Sequence, residues 1–136
     1  MITALDTNVL FDVLWIDPQF ARLSARSLLR CATEGRLVAC EVVWAELSAT
    51  FPSHSAFSSA MDSLGVAFSP IDAAAAVAAG EIWRDYRSRR GSRLRLLPDF
   101  VVAGHALHQA DRLLTRDRGF YRSYFPELTI LDPTAD

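Results

Sequence analysis

Short apolar segments alternate along the chain with longer segments whose apolar residues recur at helical spacing. The short segments have the length and composition of buried strands, and the longer ones have the periodicity of amphipathic helices. Strands that alternate with helices are typical of a parallel sheet covered by helices. The predicted strands are Ile2–Leu5, Leu37–Cys40, Val66–Phe68, Arg112–Thr115 and Leu128–Leu131.

The helical segments lie between these strands. Their predicted positions are Thr7–Trp15, Phe20–Thr33, Val42–Thr50, Ser55–Leu64, an Ala-rich segment capped by Asp72 that extends to about Ser88, and Phe100–Ala110. Pro98 and Asp99 suit the opening of the last helix, which is apolar nearly all round and should be buried. A length of 136 residues fits one domain. We therefore predict a single α/β domain over residues 1–136, with a mainly parallel central sheet of about five strands flanked by helices.

Composition excludes several classes of protein. With 51% hydrophobic residues and a net charge of −2, the chain is not a disordered polymer. No apolar run approaches the roughly 20 residues that a membrane span requires, and the first residues show no secretory signal pattern. Cys31 and Cys40 have no metal-binding spacing, so we expect reduced, mostly buried thiols in a cytoplasmic protein.

The basic residues are unevenly distributed. All 14 are arginines, and six of them lie between Arg84 and Arg95, where only Asp85 opposes them. Such a strip on an acidic body indicates a phosphate-bearing partner. The alternative is a solvated helix end, where basic side chains interact favourably with the helix dipole.

Carboxylates stand at positions that the local pattern does not require. Asp6 directly follows the first predicted strand, and Asp117 lies just beyond the fourth. The carboxyl ends of parallel strands share one edge of a sheet, where ligands bind, so the topology brings these two together. Glu46 and Asp99 reach the same edge only if their helices begin there.

A converging set of carboxylates needs protons or a cation. A like-charged pair about 4 Å apart costs on the order of 4 kcal/mol at a surface-like dielectric. Oxygen ligands without histidine or cysteine suit Mg²⁺ or Mn²⁺ rather than Zn²⁺. Such an ion can polarise a phosphodiester and activate water.

Each acid also has a structural interpretation. Asp6 and Asp99 can cap their own helices, and Asp117 can be a turn residue before Gly119. Asp12 is interpreted as a cap or part of a solvated face. Glu46 is harder to explain in this way, because a carboxylate among Trp44, Leu47 and Phe51 is expensive to bury unpaired.

Taken together, four motifs resemble the PIN-domain family, and in particular the VapC-type toxins of bacterial toxin–antitoxin pairs. They are Leu5–Leu10, Trp44–Leu47, Pro98–Phe100 and Leu113–Phe120. The resemblance extends over essentially the whole chain, with the acids in the family's order and about its spacing.

The resemblance implies an endoribonuclease that depends on Mg²⁺ or Mn²⁺. It implies that Asp6, Glu46, Asp99 and Asp117 form a catalytic, metal-binding cluster supported by Asn8 and Thr115. It also implies a homodimer that is silenced by an antitoxin whose tail lies along helices near the site, where Trp15, Phe20 and Phe51 would form an apolar groove. The arginine strip is not a family motif; our separate hypothesis is that Arg87, Arg89, Arg90 and Arg93 contact RNA phosphates.

Two other classes of function remain open at this point. Asp6-Thr7-Asn8-Val9 falls one carboxylate short of a motif that resembles the phosphohydrolases of the haloacid-dehalogenase family. A non-catalytic binding module is the other alternative, either a receiver-like domain or a nuclease fold that has lost its activity. The chain contains no lysine, which receivers and most dehalogenase-type phosphatases place beside the phosphoryl group. All four acidic positions are filled, which favours the nuclease.

Overall fold

The computed structural model describes residues 1–90 and 96–135, except for the side chain of Arg90. Within these residues, five strands form one sheet in which every neighbouring pair is parallel, in the order β3-β2-β1-β4-β5. The strands are β1 (Ile2–Leu5), β2 (Arg36–Ala39), β3 (Val66–Phe68), β4 (Arg112–Leu114) and β5 (Ile130–Leu131). The predicted α/β fold with a parallel sheet is confirmed.

Helices make the connections between the strands. The described residues form α1 (Thr7–Leu14), α2 (Ala21–Glu34), α3 (Glu41–Ser48), α4 (His54–Leu64), α5 (Ala73–Arg90), α6 (Leu97–Gln109) and α7 (Arg118–Tyr124). Local chemistry explains several of their ends. The Ser53 hydroxyl accepts the backbone N–H of Ala56 and caps the start of α4. Gly65 follows the last residue of this helix with a positive φ of 72°, which glycine adopts without strain. The Asp72 carboxylate accepts the N–H of Ala75, the capping role predicted for it.

The order of the strands reverses at β1. The chain first builds outward from β1 to β2 and β3, and then returns to pair β4 with the other side of β1. In open parallel sheets, ligands bind beyond the carboxyl ends of the strands at such a switch point. The ends of β1 and β4 therefore mark the place where a site is expected.

Helices α5 and α6 pack closely in an antiparallel pair. A Cβ added at Gly104 would lie 2.9 Å from the Cβ of Ala79, so glycine permits the close approach. At the other end of the pair, the rings of Tyr86 and Phe100 lie 5.3 Å apart between centroids. This contact places the end of α5 beside the beginning of α6.

Most elements differ from the sequence prediction at their ends, and two of the differences lie in the last part of the chain. Helix α7 was not predicted, because Gly119 in its first turn indicates a turn rather than a helix. Strand β5 is shorter than predicted, since the N–H of Leu128 bonds to the carbonyl of Phe125 in a turn instead of joining the sheet. Both differences lie in the last part of the chain, where tertiary packing overrides local preference.

The cysteines agree with the expectation that both thiols are buried and free. Cys31 and Cys40 are buried, unbridged thiols, and burial raises the pKa of Cys40. Across residues 1–90 and 96–135, no helix combines the length and the apolar character that crossing a bilayer requires.

Candidate active site

Asp6 lies at the switch point of the sheet. It follows β1 directly, and its backbone N–H bonds to the carbonyl of Leu114 at the end of β4, with an N···O distance of 3.1 Å. Its carboxylate oxygen Oδ1 accepts the N–H of Thr7 at 2.8 Å, so Asp6 does cap α1. The capping interpretation is therefore correct, and it uses only one of the two carboxylate oxygens.

The other oxygen of Asp6 faces a set of side-chain donors. Oδ2 accepts the Thr115 hydroxyl at 2.8 Å, the Tyr121 phenol at 3.0 Å and the Asn8 amide at 3.4 Å. The Asn8 amide also lies 3.2 Å from Thr115 Oγ1, and the N–H of Asp117 donates to that same hydroxyl at 3.0 Å. The structure thus places the two predicted supporting residues, Asn8 and Thr115, against Asp6.

Asp99 approaches the cluster from α6. The sequence alone could not decide whether this helix begins at the edge that carries Asp6. The structure places Asp99 in the first turn of α6, half-buried, where its charge raises the pKa of Asp6. The pair therefore lies within electrostatic reach across the switch point.

The electrostatics of the site are those of crowded carboxylates. Burial is the largest cause that raises the pKa of Asp6, followed by the charge of Asp99, while hydrogen bonds from Thr115, Tyr121 and Thr7 lower it. The pKa of Tyr121 is raised by burial and then by the charge of Asp6, with smaller contributions from Asp99 and Asp117. Asp6, Asp99 and Asp117 therefore all act on the environment of one phenol.

Glu46 is placed differently from the expectation. Its side chain is exposed rather than buried among Trp44, Leu47 and Phe51, so the argument from burial cost was wrong. Its Oε1 accepts the Thr7 hydroxyl at 2.5 Å, which connects it to the residue next to Asp6. Glu46 thus lies at the rim of the cluster, held there by one hydrogen bond.

The donor set suits a hard divalent cation, although the side chains are not arranged around one. Asp6, Asp99, Asp117 and Glu46 offer oxygen ligands alone, which is the chemistry that Mg²⁺ and Mn²⁺ prefer. In the described part of the chain, no three His, Cys, Asp or Glu side chains are grouped as a metal site. The hydrogen bonds explain part of this, because both oxygens of Asp6 already accept donors from the chain itself.

The interpretation of Asp12 as a cap or part of a solvated face was also wrong. Asp12 is 2% exposed. Both of its oxygens accept the guanidinium of Arg116, at 2.8 and 2.9 Å, and the Ser24 hydroxyl donates to it at 2.6 Å. A carboxylate with these partners is fully paired, which makes its burial tolerable.

The described part of the arginine strip lies at the end of the α5–α6 pair. Arg87 and Arg89 are exposed there, and the guanidinium of Arg87 lies 4.7 Å from the ring centroid of Trp83. The predicted contacts of Arg93 and of the Arg90 side chain fall outside the described residues. Since Tyr86 contacts Phe100, Arg87 and Arg89 occupy the end of the pair at which α6 begins.

Two polar residues of the site were missed from the sequence. Tyr121 lies on the unpredicted helix α7, and its phenol is directed into the acidic cluster. Thr7 bridges to Glu46 through its hydroxyl. The available signal for Tyr121 was its position four residues after Asp117, which places both on one side of a helix only when that helix is recognised.

This chain is similar to known proteins in its family and in its fold. The model of the PIN domain matches residues 3–126, and the chain belongs to the PIN-domain family. No curated protein matches the sequence. The family assignment removes the support for the dehalogenase-like interpretation of the motif at Asp6.

Solved structures share the fold at low sequence identity. VapBC2 from Rickettsia felis, bound to a DNA fragment from its promoter, is 21% identical with a TM-score of 0.71, over 97% of this chain and 98% of that one. VapBC-1 from nontypeable Haemophilus influenzae is 20% identical, with a TM-score of 0.69 and coverage of 98% and 99%. FitAcB from Neisseria gonorrhoeae is 23% identical, with a TM-score of 0.67 and full coverage of both chains, 100% each.

Proposed function

We propose that this chain is a divalent-metal-dependent endoribonuclease and the toxin of a VapBC-like toxin–antitoxin pair. The observation that carries the proposal is the buried Asp6 at the switch point, with its pKa raised chiefly by burial and further by the charge of Asp99. Asp117 contributes its charge to the same environment through Tyr121. A crowded set of carboxylates in this position is expected to take up a hard cation.

The ligands of Mg²⁺ or Mn²⁺ would be Asp6, Asp99 and Asp117, with Glu46 at the rim. When bound, the ion would polarise the phosphate of the substrate and make a water molecule more acidic. Thr115 and Asn8 orient Asp6 through Oδ2, and Tyr121 closes the buried side of that carboxylate. These donors hold the carboxylate plane in one direction, which is the usual role of groups behind metal ligands.

The RNA substrate would be held by the arginine strip. Arg87 and Arg89 are exposed at the end of α5, beside the beginning of the helix that carries Asp99. Arg90 and Arg93 continue the same basic stretch of sequence. Arginine pairs well with phosphate, so Arg87 and Arg89 would hold the backbone of a single strand near the beginning of the helix that carries Asp99.

An antitoxin is the proposed protein partner, in a homodimeric, cytoplasmic assembly. The similar solved structures include VapBC proteins, FitAB and a toxin–antitoxin complex. A groove of about 360 Å³ beside Asn8 offers a place where a segment of such a partner would bind. It is lined by Asn8, Phe11, Asp12, Trp15, Asp17, Pro18 and Arg116.

The aromatic residues predicted for this groove have different positions. Trp15 lines it and is 52% exposed, and its ring packs against Phe51 at 5.5 Å between centroids. Phe20 is covered by the Arg116 guanidinium, which lies 3.9 Å from its ring centroid. Trp15 is therefore the aromatic residue that is best placed to contact an antitoxin tail.

The test is RNA cleavage by the purified chain, free of any antitoxin, with Mg²⁺, with Mn²⁺ and with EDTA. Asp6→Asn is the site variant, and Asp62→Asn, an exposed position on α4, is its matched control. We expect metal-dependent cleavage that is lost in Asp6→Asn and kept in Asp62→Asn. Cleavage that survives EDTA or Asp6→Asn would contradict the proposed site. No cleavage of several structured RNAs, together with no metal binding by calorimetry, would favour a non-catalytic PIN-fold binding module.

A further inference from the structure

One partly buried ion pair connects three separate parts of the chain next to the acidic cluster: Asp12 is 3% exposed and Arg116 is 26% exposed at their side chains. Asp12 on α1 holds Arg116, which lies in the loop between β4 and α7, through both of its carboxylate oxygens. Ser24 on α2 donates to the same carboxylate, and the ring of Phe20 lies under the guanidinium. The direction of the Arg116 side chain is thereby fixed by a carboxylate, a hydroxyl donor behind it and an aromatic face.

The backbone of Arg116 connects this pair to the site. Its N–H donates to Asn8 Oδ1 at 3.1 Å, while the Asn8 amide faces Asp6 and Thr115. Arg116 also stands between Thr115 and Asp117 in the chain. A displacement of the Arg116 backbone would therefore break the hydrogen bond to Asn8 and move the two neighbouring site residues.

We infer that the Asp12–Arg116 ion pair positions the loop that carries Thr115 and Asp117, and so sets the geometry of the acidic cluster. The inference rests on the proposed nuclease function. In this role Arg116 is a positioning residue: it acts through Asn8 and Asp117, and its charge is balanced by Asp12 rather than directed at a substrate.

The energetics favour positioning over stability. The Asp12 carboxylate is removed from water and the Arg116 side chain is 26% exposed, so desolvation offsets much of their attraction and the pair contributes little net stability while both partners are present. The planar guanidinium of Arg116 donates to both oxygens of the Asp12 carboxylate, and this pairing fixes the geometry of the two side chains. Groups behind metal ligands typically change metal affinity or activity by about 10- to 100-fold when they are replaced.

The same region supplies a matched control. Arg118, two positions beyond Arg116, pairs with Asp132 at 3.4 Å, and its side chain is 47% exposed. Within the described residues, neither Arg118 nor Asp132 is hydrogen-bonded through its side chain to Asn8 or Thr115. Loss of an arginine there removes the same charge without disturbing the connection to the cluster.

The experiment compares Arg116→Met, Arg116→Lys and Asp12→Asn with Arg118→Met. We expect Arg116→Met to lower kcat for RNA by about 10- to 100-fold, with KM changed by less than about twofold, and to weaken Mn²⁺ binding by a similar factor in calorimetry. Hydrogen exchange of the Arg116 and Asp117 amides should become at least about tenfold faster, because their acceptors are Asn8 and Thr115. Arg116→Lys should recover part of each effect, and Arg118→Met should match the wild type.

These readouts separate the inference from the function on which it rests. If the wild type cleaves RNA and a folded Arg116→Met variant keeps its kcat, Mn²⁺ affinity and amide exchange, the positioning role is refuted and the nuclease stands. If the wild type neither cleaves RNA nor binds metal, but the two amides still exchange faster in the variant, the loop is positioned as inferred and the proposed function fails. Where Arg116→Met does not fold, Arg116→Lys decides by the same criteria.

Discussion

The Tyr121 hydroxyl offers a measurable test of how the chain tolerates a buried carboxylate. Tyr121 is 1% exposed, and its phenol donates to Asp6 Oδ2 at 3.0 Å. Tyr121→Phe removes that donor and keeps the ring, which packs against Phe120 with centroids 5.0 Å apart. The change therefore isolates one hydrogen bond to the charged group at the centre of the site.

The expected loss follows from what Asp6 retains. A hydrogen bond to a charged group contributes about 1.5–3 kcal/mol to the free energy of unfolding. Because Thr115 still donates to the same oxygen at 2.8 Å, we expect the lower end of that range. In a domain of this size, about 1.5 kcal/mol corresponds to a decrease in Tm of roughly 5 °C.

The loss should depend on pH, with a defined sign. Burial raises the pKa of Asp6, so its ionisation costs stability: the cost is absent well below the ordinary aspartate pKa and is fully present above the raised value. Since the Tyr121 bond lowers this pKa, Tyr121→Phe raises it further and increases the cost. The difference in stability between variant and wild type should therefore be largest near neutral pH and should shrink as the pH falls.

The assay is urea unfolding of both proteins, without metal, at about pH 8 and at about pH 5. Tyr86→Phe is the control, because Tyr86 is also buried but packs against the rings of Phe100 and Tyr124 instead of Asp6. A loss of stability that is equal at both pH values, or no greater than that of Tyr86→Phe, would refute the assigned role of the Tyr121 phenol.

Three further outcomes are expected. Mn²⁺ should raise the Tm of the wild type but not that of Asp99→Asn, because a ligand stabilises only the fold that binds it; equal shifts would place the metal elsewhere. Arg89→Glu should weaken RNA binding and reduce the slope of log affinity against log salt concentration by the equivalent of about one phosphate contact, whereas Arg30→Glu on α2 should leave that slope unchanged. An unchanged slope in both variants would exclude the arginine strip as a contact for RNA phosphates. Phe100→Ala should cost about 3–5 kcal/mol in urea unfolding, since Phe100 is fully buried (0% exposed) among aromatic rings; a cost below about 1 kcal/mol would contradict this packing.

The fold and two of the acids could be predicted because they depend on local pattern and topology. The bounds predicted for Ile2–Leu5 and Val66–Phe68 match those of β1 and β3. Asp6 and Asp117 follow strands that are neighbours in the sheet, so the prediction that both lie at one edge needed only the parallel order.

Other features of the site depend on contacts between distant segments. Asp12 is buried because Arg116, more than a hundred residues away, neutralises it, and nothing near Asp12 in the sequence indicates this partner. Glu46 has apolar sequence neighbours, yet the helix directs its carboxylate towards solvent and Thr7. Tyr121 was missed together with α7, because Gly119 in the first turn of that helix is typical of a turn in the sequence.

The position of β1 in the sheet also determines when the acidic cluster can form during synthesis. Among the described strands, β1 comes first in the chain but lies at the centre of the sheet, and its partner β4 comes fourth, since Thr3 pairs with Arg112. Pairings over such distances in sequence give a high contact order and slow folding. A nascent chain that ends before β4 contains Asp6 and Glu46 but has no Thr115, Asp117 or Tyr121 to complete their surroundings. Products of translation that stop before β4 therefore lack part of the site, and the surroundings of Asp6 are complete only after β4 has joined the sheet and α7 has formed.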